Sequence, residues 1–419
     1  MKSLNVFYET ILVGYLTEND KQALCFTYTA EWLQYDRAIG LSPDIYLSEK
    51  IFSGEKVESF FENLLPEGDI LDFISQAVHI SPNNVFGLLE RFGGDTAGAF
   101  SILPEAIKPS VEPHYLPVEK WRIREWFQQT KGLPLNLNGE QSRMSLSGAQ
   151  DKMTVFIDVD GTISIPLGTA PSTHIIKPSI NHRLDIPHTA INEVFIMTLA
   201  KAIKLNVAET YYDSELYAAI IARYDREKIA GQLKRLHQND LCQALGLPSS
   251  KKYEAEGGPS LVDCFNVVLK QSSQPAKDKK RLIEWVIFNI LAGNMDSHAK
   301  NLSLMNVANK RELTPFYDLV CTAIYPNLSQ KFAFKIGGEN RPDWIMLRHW
   351  ERFANDIATT PKFVFNIMTD MINRMDKILP IIVAELKAQQ LSMDEGLMVS
   401  KIEKLIKSRV SKMRTRVAS

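Results

Sequence analysis

Paired cysteines are missing from this sequence. The four present, Cys25, Cys242, Cys264 and Cys321, are scattered through 419 residues without a C-x-x-C spacing. Neither a zinc site nor a disulfide framework is therefore expected. An excess of one charge is missing too. The formal net charge is −1, so no global field draws the chain onto nucleic acid or a membrane surface. Long apolar runs are absent. The longest, around Leu282 to Leu291, is broken by Glu284 and Asn289 and is too short to span a bilayer. The opening Met1-Lys2-Ser3-Leu4-Asn5-Val6, with Glu9 and Asn19 close behind, lacks the apolar core of a signal peptide. Internal repeats and low-complexity segments do not occur either. These absences predict a soluble protein of the reducing cytoplasm.

What is present is ordinary globular composition, 45% hydrophobic and 23% charged, which argues against disorder. A chain of this length exceeds one hydrophobic core, so two or three subdomains are expected. Val6-Phe7-Tyr8 and Ile11-Leu12-Val13 read as two short strands joined by a turn. Helical patterning follows between Phe60 and Gly98. Residues Pro104 to Pro117 carry four prolines and few apolar anchors, which reads as a linker. Strands are expected at Thr154 to Val159, Thr173 to Lys177 and Tyr217 to Tyr224. Asn192 to Ile203 has helical apolar spacing, and helices dominate from about Leu261. The resulting division is an N-terminal subdomain at 1–105, a linker at 106–139, a core at 140–330 and a helical region at 331–419.

The stretch Gly293-Asn294-Met295-Asp296-Ser297-His298-Ala299-Lys300-Asn301 carries the chemistry. A long amphipathic helix ends there and a polar loop begins. Phosphoryl transfer needs a carboxylate to take the hydroxyl proton and an amide oxygen nearby to hold Mg²⁺. Kinases supply them as Asp and Asn five positions apart. Asp296 and Asn301 have that spacing, and Lys300 lies where it could neutralise transferred phosphate. The plain alternative is a helix cap and a solvated turn. The sequel favours chemistry: Leu313-Thr314-Pro315-Phe316-Tyr317-Asp318 reads as an apolar strand ending in a second metal-binding acid, after a short hairpin.

Upstream, Ser145-Leu146-Ser147-Gly148-Ala149-Gln150-Asp151-Lys152 reads either as a hairpin turn or as a loop whose N–H groups approach phosphate. Lys177, ending a strand, suits the α- and β-phosphates. Glu193 opens the next helix and either pairs with Lys177 or complements the helix dipole. The strand Ile221-Ala222-Arg223-Tyr224-Asp225 suits a hinge whose backbone bonds adenine.

Together these segments resemble the HipA family of serine/threonine kinase toxins. Phe60-Phe61-Glu62-Asn63-Leu64-Leu65-Pro66-Glu67 and Gly94-Asp95-Thr96-Ala97-Gly98-Ala99 look like its N-terminal signatures. Ser147-Gly148-Ala149-Gln150-Asp151-Lys152 resembles its phosphate loop, with Asp151 where glutamate is usual. His174-Ile175-Ile176-Lys177-Pro178 resembles its nucleotide-lysine motif. Gln238-Asn239-Asp240-Leu241-Cys242-Gln243, Lys252-Tyr253-Glu254 and Gly257-Gly258-Pro259 are further matches. Asp296-Ser297-His298-Ala299-Lys300-Asn301 and Phe316-Tyr317-Asp318 complete the set, adding His298 and Tyr317 to the candidate nucleotide residues. Ala222 stands where the family often has glutamate.

The resemblance implies an α/β (α+β), two-lobed protein-kinase-like fold with a small β-rich N-terminal subdomain and a largely helical C-terminal lobe. It implies ATP and Mg²⁺ as cofactors, with Asp296 as base and Asn301 and Asp318 on the metal. A protein substrate such as an aminoacyl-tRNA synthetase follows, as does self-inactivation by phosphorylation of Ser145 or Ser147. A small helix-turn-helix antitoxin that carries the chain onto operator DNA is the implied partner. Two rival readings are a catalytically dead scaffold joining antitoxin and operator, and a lipid or small-molecule kinase. Lys401 to Ser419 holds four Lys and three Arg against one Glu. That stretch is either a packed helix with a solvated basic face or a phosphate-backbone contact.

Overall fold

Leu4 and Val6 of one strand and Leu16 of the next, paired with Leu4, share one face of the hairpin, and that face must be covered. The computed structural model describes residues 2–19, 23–130, 136–137, 140–141, 148, 150–180, 185–229, 231–307 and 310–418. In it Lys2–Tyr8 pairs antiparallel with Ile11–Glu18, with a bulge between Val6 and Phe7. Leu24–Tyr28 and then Phe52–Ser53 extend the sheet on one side, and Phe100–Pro104 closes the other. Helices Glu55–Glu62, Gly68–Val78 and Val85–Phe92 follow in the same region. Their Phe60, Phe61, Leu88 and Leu89 join the sheet's apolar face in one buried core. Each such side chain contributes roughly 1.5–3 kcal/mol relative to exposure.

Two compact units divide the chain. The first comprises Met1–Lys177, Ala222–Ser250 and Met305–Val307. Besides the N-terminal sheet it holds an antiparallel run of His114–Pro117, Ile163–Leu167, Met153–Ile157 and His174–Pro178. Residues 106–139, expected as a linker, thus contribute an edge strand and the helix Lys120–Thr130, which buries Ile123 and Trp126. Prolines are tolerated there because an edge strand can lack N–H groups. Tyr115 of that strand stacks on Phe156 with ring centroids 4.0 Å apart. The strand expected to reach Val159 stops at Ile157, where the Asp158–Gly161 turn begins. The strand expected through Tyr224 ends at Ala222.

Polar chemistry also holds this unit together. Asp95, 2% exposed, meets Arg226 at 2.8 Å, Arg235 at 3.1 Å and Arg223 at 3.2 Å. It also accepts the Ser172 hydroxyl at 2.6 Å. Arg223 forks onto Asp225 at 3.0 and 2.8 Å. Burial alone would raise the Asp95 carboxyl, but the three arginines outweigh it and hold it well below the usual carboxylate range.

The second unit comprises Pro178–Ile221, Lys251–Leu304 and Ala308–Ser419. Helices Thr189–Ala202, Leu261–Gln271, Pro275–Ala292, Leu347–Asp356, Pro361–Lys387 and Met393–Ala418 dominate it. The last buries Ile402, Ile406, Val410 and Met413, which is the packed-helix alternative for the basic stretch. Its cations are largely engaged: Lys407 with Glu403, Lys412 with Asp343 and Arg414 with Asp376. Arg409 and Arg416 donate to the Ile290 and Asp343 carbonyls. No helix among the described residues is long and apolar enough to cross a membrane.

Candidate active site

The helix Pro275–Ala292 ends at Gly293, whose φ of 78° is left-handed and suits glycine. A buried chain of amides then hangs the loop. Asn289 donates to Trp285 O at 2.8 Å, Asn294 donates to Asn289 Oδ1 at 2.8 Å, and Asn294 Oδ1 accepts the Asp296 N–H at 3.2 Å. Met295 N–H donates to Thr322 Oγ1 at 2.8 Å. Asp296 is exposed, while Asn294, Met295, Ser297, His298, Lys300 and Asn301 are buried. The loop is fixed and its acid alone faces solvent. Asp296 Oδ1 accepts the Tyr253 hydroxyl at 2.5 Å, and the Tyr253 ring meets His298 edge-on with centroids 5.0 Å apart.

Asp318 is held just as firmly. Asp278 accepts the Leu313 N–H at 3.0 Å, and Arg281 donates to the Leu313 and Thr314 carbonyls at 2.6 Å each. The strand expected to run through to Asp318 ends at Leu313, since Pro315 has no N–H to continue a ladder. Phe316 instead bonds main chain to main chain with Asn206 and Ala208. Asp318 itself adopts φ 58°, a left-handed conformation that costs a non-glycine residue about 1–3 kcal/mol and concentrates at functional sites. Asn301 Nδ2 lies 3.3 Å from Asp318 Oδ2 and 3.5 Å from the Asp296 carbonyl. Tyr317 hydroxyl donates to Lys300 O at 2.7 Å and lies 2.7 Å from Ser303 Oγ. Acid, amide and second acid therefore share one corner of the second unit.

Behind Asp318 sits a clamp. Asn192, fully buried, accepts the Cys321 N–H at 2.9 Å. It donates to Cys321 O and to Tyr325 Oη at 3.1 Å each. Burial pushes the Tyr325 phenol up to about 12, so it stays neutral and donates to Pro187 O at 3.0 Å. Glu193, next to the clamp, lies one turn inside the helix Thr189–Ala202 and is buried. It does not open the helix, so first-turn dipole complementarity does not account for it.

In the first unit, Lys177 is buried at the end of the strand His174–Pro178, and lysines are seldom buried unless paired. Asp151 is buried, while Gly148, Gln150 and Lys152 are half-buried. The Gly148 carbonyl accepts the Glu67 N–H at 3.3 Å. Ser145, Ser147 and Ala149 lie outside the described residues. Of the expected hinge, Ala222 is half-buried and Arg223 N–H donates to Thr173 O at 2.8 Å. The Arg223 side chain serves the Asp95 cluster, and Tyr224 hydroxyl donates to Gln238 at 2.7 Å.

Asn301 and Asp318 fit Mg²⁺ in donor type, because that ion takes hard oxygen ligands from few side chains and fills its sphere with phosphate and water. No group of three His, Cys, Asp or Glu suited to a metal occurs among the described residues. Two residues escaped the sequence reading. Tyr253 lay in a matched segment without an assigned role. Asn192 was hidden in an apolar helix, where a buried amide among aliphatic neighbours was the available signal.

The family description "HipA-like C-terminal domain" matches residues 144–379, and "HipA N-terminal domain" matches residues 4–103. Y4mE of Sinorhizobium fredii is 35% identical over 382 residues, covering 89% of this chain and 90% of its own. The serine/threonine-protein kinase toxin HipA of Shewanella oneidensis is 30% identical over 384 residues, covering 88% of this chain and 85% of its own. The solved complex of the Shewanella oneidensis MR-1 HipA, HipB and its operator DNA contains a chain that superposes with a TM-score of 0.86 at 28% identity. It covers 99% of this chain and 98% of that one. The mixed helix-and-sheet architecture is thus that of a kinase-like HipA fold.

Proposed function

The chain belongs to the HipA family, and on that premise we propose that it is a serine/threonine-protein kinase toxin. It transfers the γ-phosphoryl group of ATP to a protein hydroxyl. The observation that carries this reading is the corner formed by Asp296, Asn301 and Asp318, with Asn301 Nδ2 3.3 Å from Asp318 Oδ2 and Asp296 alone exposed.

Asp296 accepts the proton of the attacking hydroxyl while the new O–P bond forms and the bond to the ADP oxygen breaks. Asn301 and Asp318 would hold Mg²⁺, which when bound neutralises charge on the phosphate oxygens. Lys177 orients the α- and β-phosphates, and Lys300 balances charge beside the base. The roles carried by the resemblance are phosphate binding for Ser147, Gly148, Ala149, Gln150, Asp151 and Lys152, adenine binding for Ala222, Arg223 and Tyr224, and nucleotide contact for His298 and Tyr317.

Self-inactivation occurs at Ser145, with Ser147 as alternate. A phosphate there adds about −1.5 to −2 charge where ATP phosphates must lie. Mass spectrometry after incubation with Mg-ATP should find one of the two modified. The substrate class that the resemblance implies is an aminoacyl-tRNA synthetase or another translation factor, and its modification stops growth. A small helix-turn-helix antitoxin neutralises the toxin and links it to operator DNA. In support, the Shewanella oneidensis relative was solved with HipB and its operator.

Melting with ATP, with and without Mg²⁺, and label transfer from [γ-³²P]ATP test the reading together. A Mg²⁺-dependent rise in melting temperature with transfer to protein is expected. Binding without transfer leaves the inactive scaffold, and no binding rejects the kinase.

A further inference from the structure

The loop acid is the one exposed member of its segment, and an exposed carboxylate samples several rotamers unless something holds it. Tyr253 does so, with its hydroxyl 2.5 Å from Asp296 Oδ1. A phenol donating to an ionised carboxylate is a charge-assisted bond, about twice as strong as a neutral one. The ring carrying that hydroxyl is itself fixed by edge-on packing against His298, two residues beyond the acid.

The backbone under Tyr253 is equally constrained. Lys252 O accepts the Ala299 N–H of the loop at 3.2 Å. Glu254, on the other side, accepts the Lys335 N–H at 2.7 Å and pairs with its ammonium at 3.6 Å. The Tyr253 carbonyl accepts from Glu256 at 3.1 Å and Gly258 at 2.9 Å. Gly258 is pressed so closely that a Cβ would lie 2.0 Å from Lys251 O and 2.6 Å from Tyr253 O, so only glycine closes this turn. The turn is thus closed on itself, bonded to the loop on one flank and to Lys335 on the other.

We infer that Tyr253 is a positioning residue for phosphoryl transfer: its hydroxyl holds the Asp296 carboxylate in the rotamer that meets the substrate hydroxyl. This rests on Asp296 being the base, as proposed above. Tyr253 takes no proton and touches no phosphate in this role. It shortens the search of the base for its working geometry, a form of preorganisation in which small displacements are costly.

A double-mutant cycle tests it, with wild type, Tyr253→Phe, Asp296→Asn and the double variant. The readout is steady-state transfer from [γ-³²P]ATP to a serine/threonine peptide library, with rates normalised to ATP-binding stoichiometry. Tyr253→Phe keeps the ring on His298, so the melting temperature should hold. Its kcat should fall about 10- to 100-fold with the KM for ATP unchanged, the loss of one bond to a charged group. In the Asp296→Asn background the same change should alter the residual rate less than twofold. A wild-type kcat in Tyr253→Phe, with Asp296→Asn inactive, overturns the inference and leaves the base assignment standing. A faster Tyr253→Phe makes the hydroxyl a substrate placeholder and also overturns it. An equal loss in both backgrounds assigns Tyr253 a role elsewhere. Full activity in Asp296→Asn removes the base reading itself, and the inference with it.

Discussion

Replacing Asn192 by Asp probes the clamp behind Asp318 with a change of one atom. The native amide makes three buried bonds, accepting from Cys321 N at 2.9 Å and donating to Cys321 O and Tyr325 Oη at 3.1 Å each. An ionised carboxylate keeps the acceptor but sets oxygen against oxygen where the amide donated. Only the protonated acid restores a donor. Burial favours that neutral form, so the folded pKa of the new acid should stand roughly 2–3 units above its unfolded value near 4. At about 1.36 kcal/mol per unit the penalty at neutral pH is about 3–4 kcal/mol.

The sign follows from linkage: with the folded pKa raised, the penalty is absent below the unfolded value. It grows as pH rises and levels off above the folded value. Urea unfolding at pH 5 and pH 8 should show the gap between wild type and Asn192→Asp about 2 kcal/mol smaller at pH 5. Asn192→Ala leaves both Cys321 backbone groups unpaired at either pH and should show a gap that does not move. If the Asn192→Asp gap were the same at both pH values, the amide would not be clamping Cys321 as described. Loosening the segment behind Asp318 should also raise the Mg²⁺ concentration needed for half-maximal transfer.

Two further changes act in the first unit. Asp95→Ala leaves Arg223, Arg226 and Arg235 with Asp225 as the cluster's remaining carboxylate. It should cost about 3–5 kcal/mol, read by chemical denaturation. Because the wild-type Asp95 carboxyl is held low, its contribution is complete above the unfolded value near 4. It is lost as pH falls toward the folded value, so Asp95→Ala should lack that part of the acid transition. Lys177→Ala should raise the KM for ATP and lower turnover, because a phosphate loses its charge partner in ground and transition states alike. An unchanged KM would leave Lys177 a strand residue.

Local patterns were legible in the sequence where local physics decides. The Gly293 helix end, the first hairpin, and the order of Asp296, Asn301 and Asp318 all depend on residues near one another in the chain. The edge strand His114–Pro117 was not legible, because its partner Ile163–Leu167 lies far along the chain and its prolines mimic a linker. Pro315 misled in the opposite direction, since the apolar run around it suggested a strand that a missing N–H interrupts. The Asp95 cluster and the Asn192 clamp were invisible for one reason: a buried polar group is defined by partners that only the fold assembles. The hydroxyl that meets Asp296, on Tyr253 43 positions upstream, is of the same kind.

Asp296→Asn puts the central assignment to the most direct test. Calorimetric titration with ATP and Mg²⁺, paired with label transfer from [γ-³²P]ATP, separates nucleotide binding from chemistry in one protein. Nucleotide affinity close to wild type with transfer reduced at least about 10²- to 10⁴-fold is the predicted result. Undiminished transfer by Asp296→Asn would contradict it.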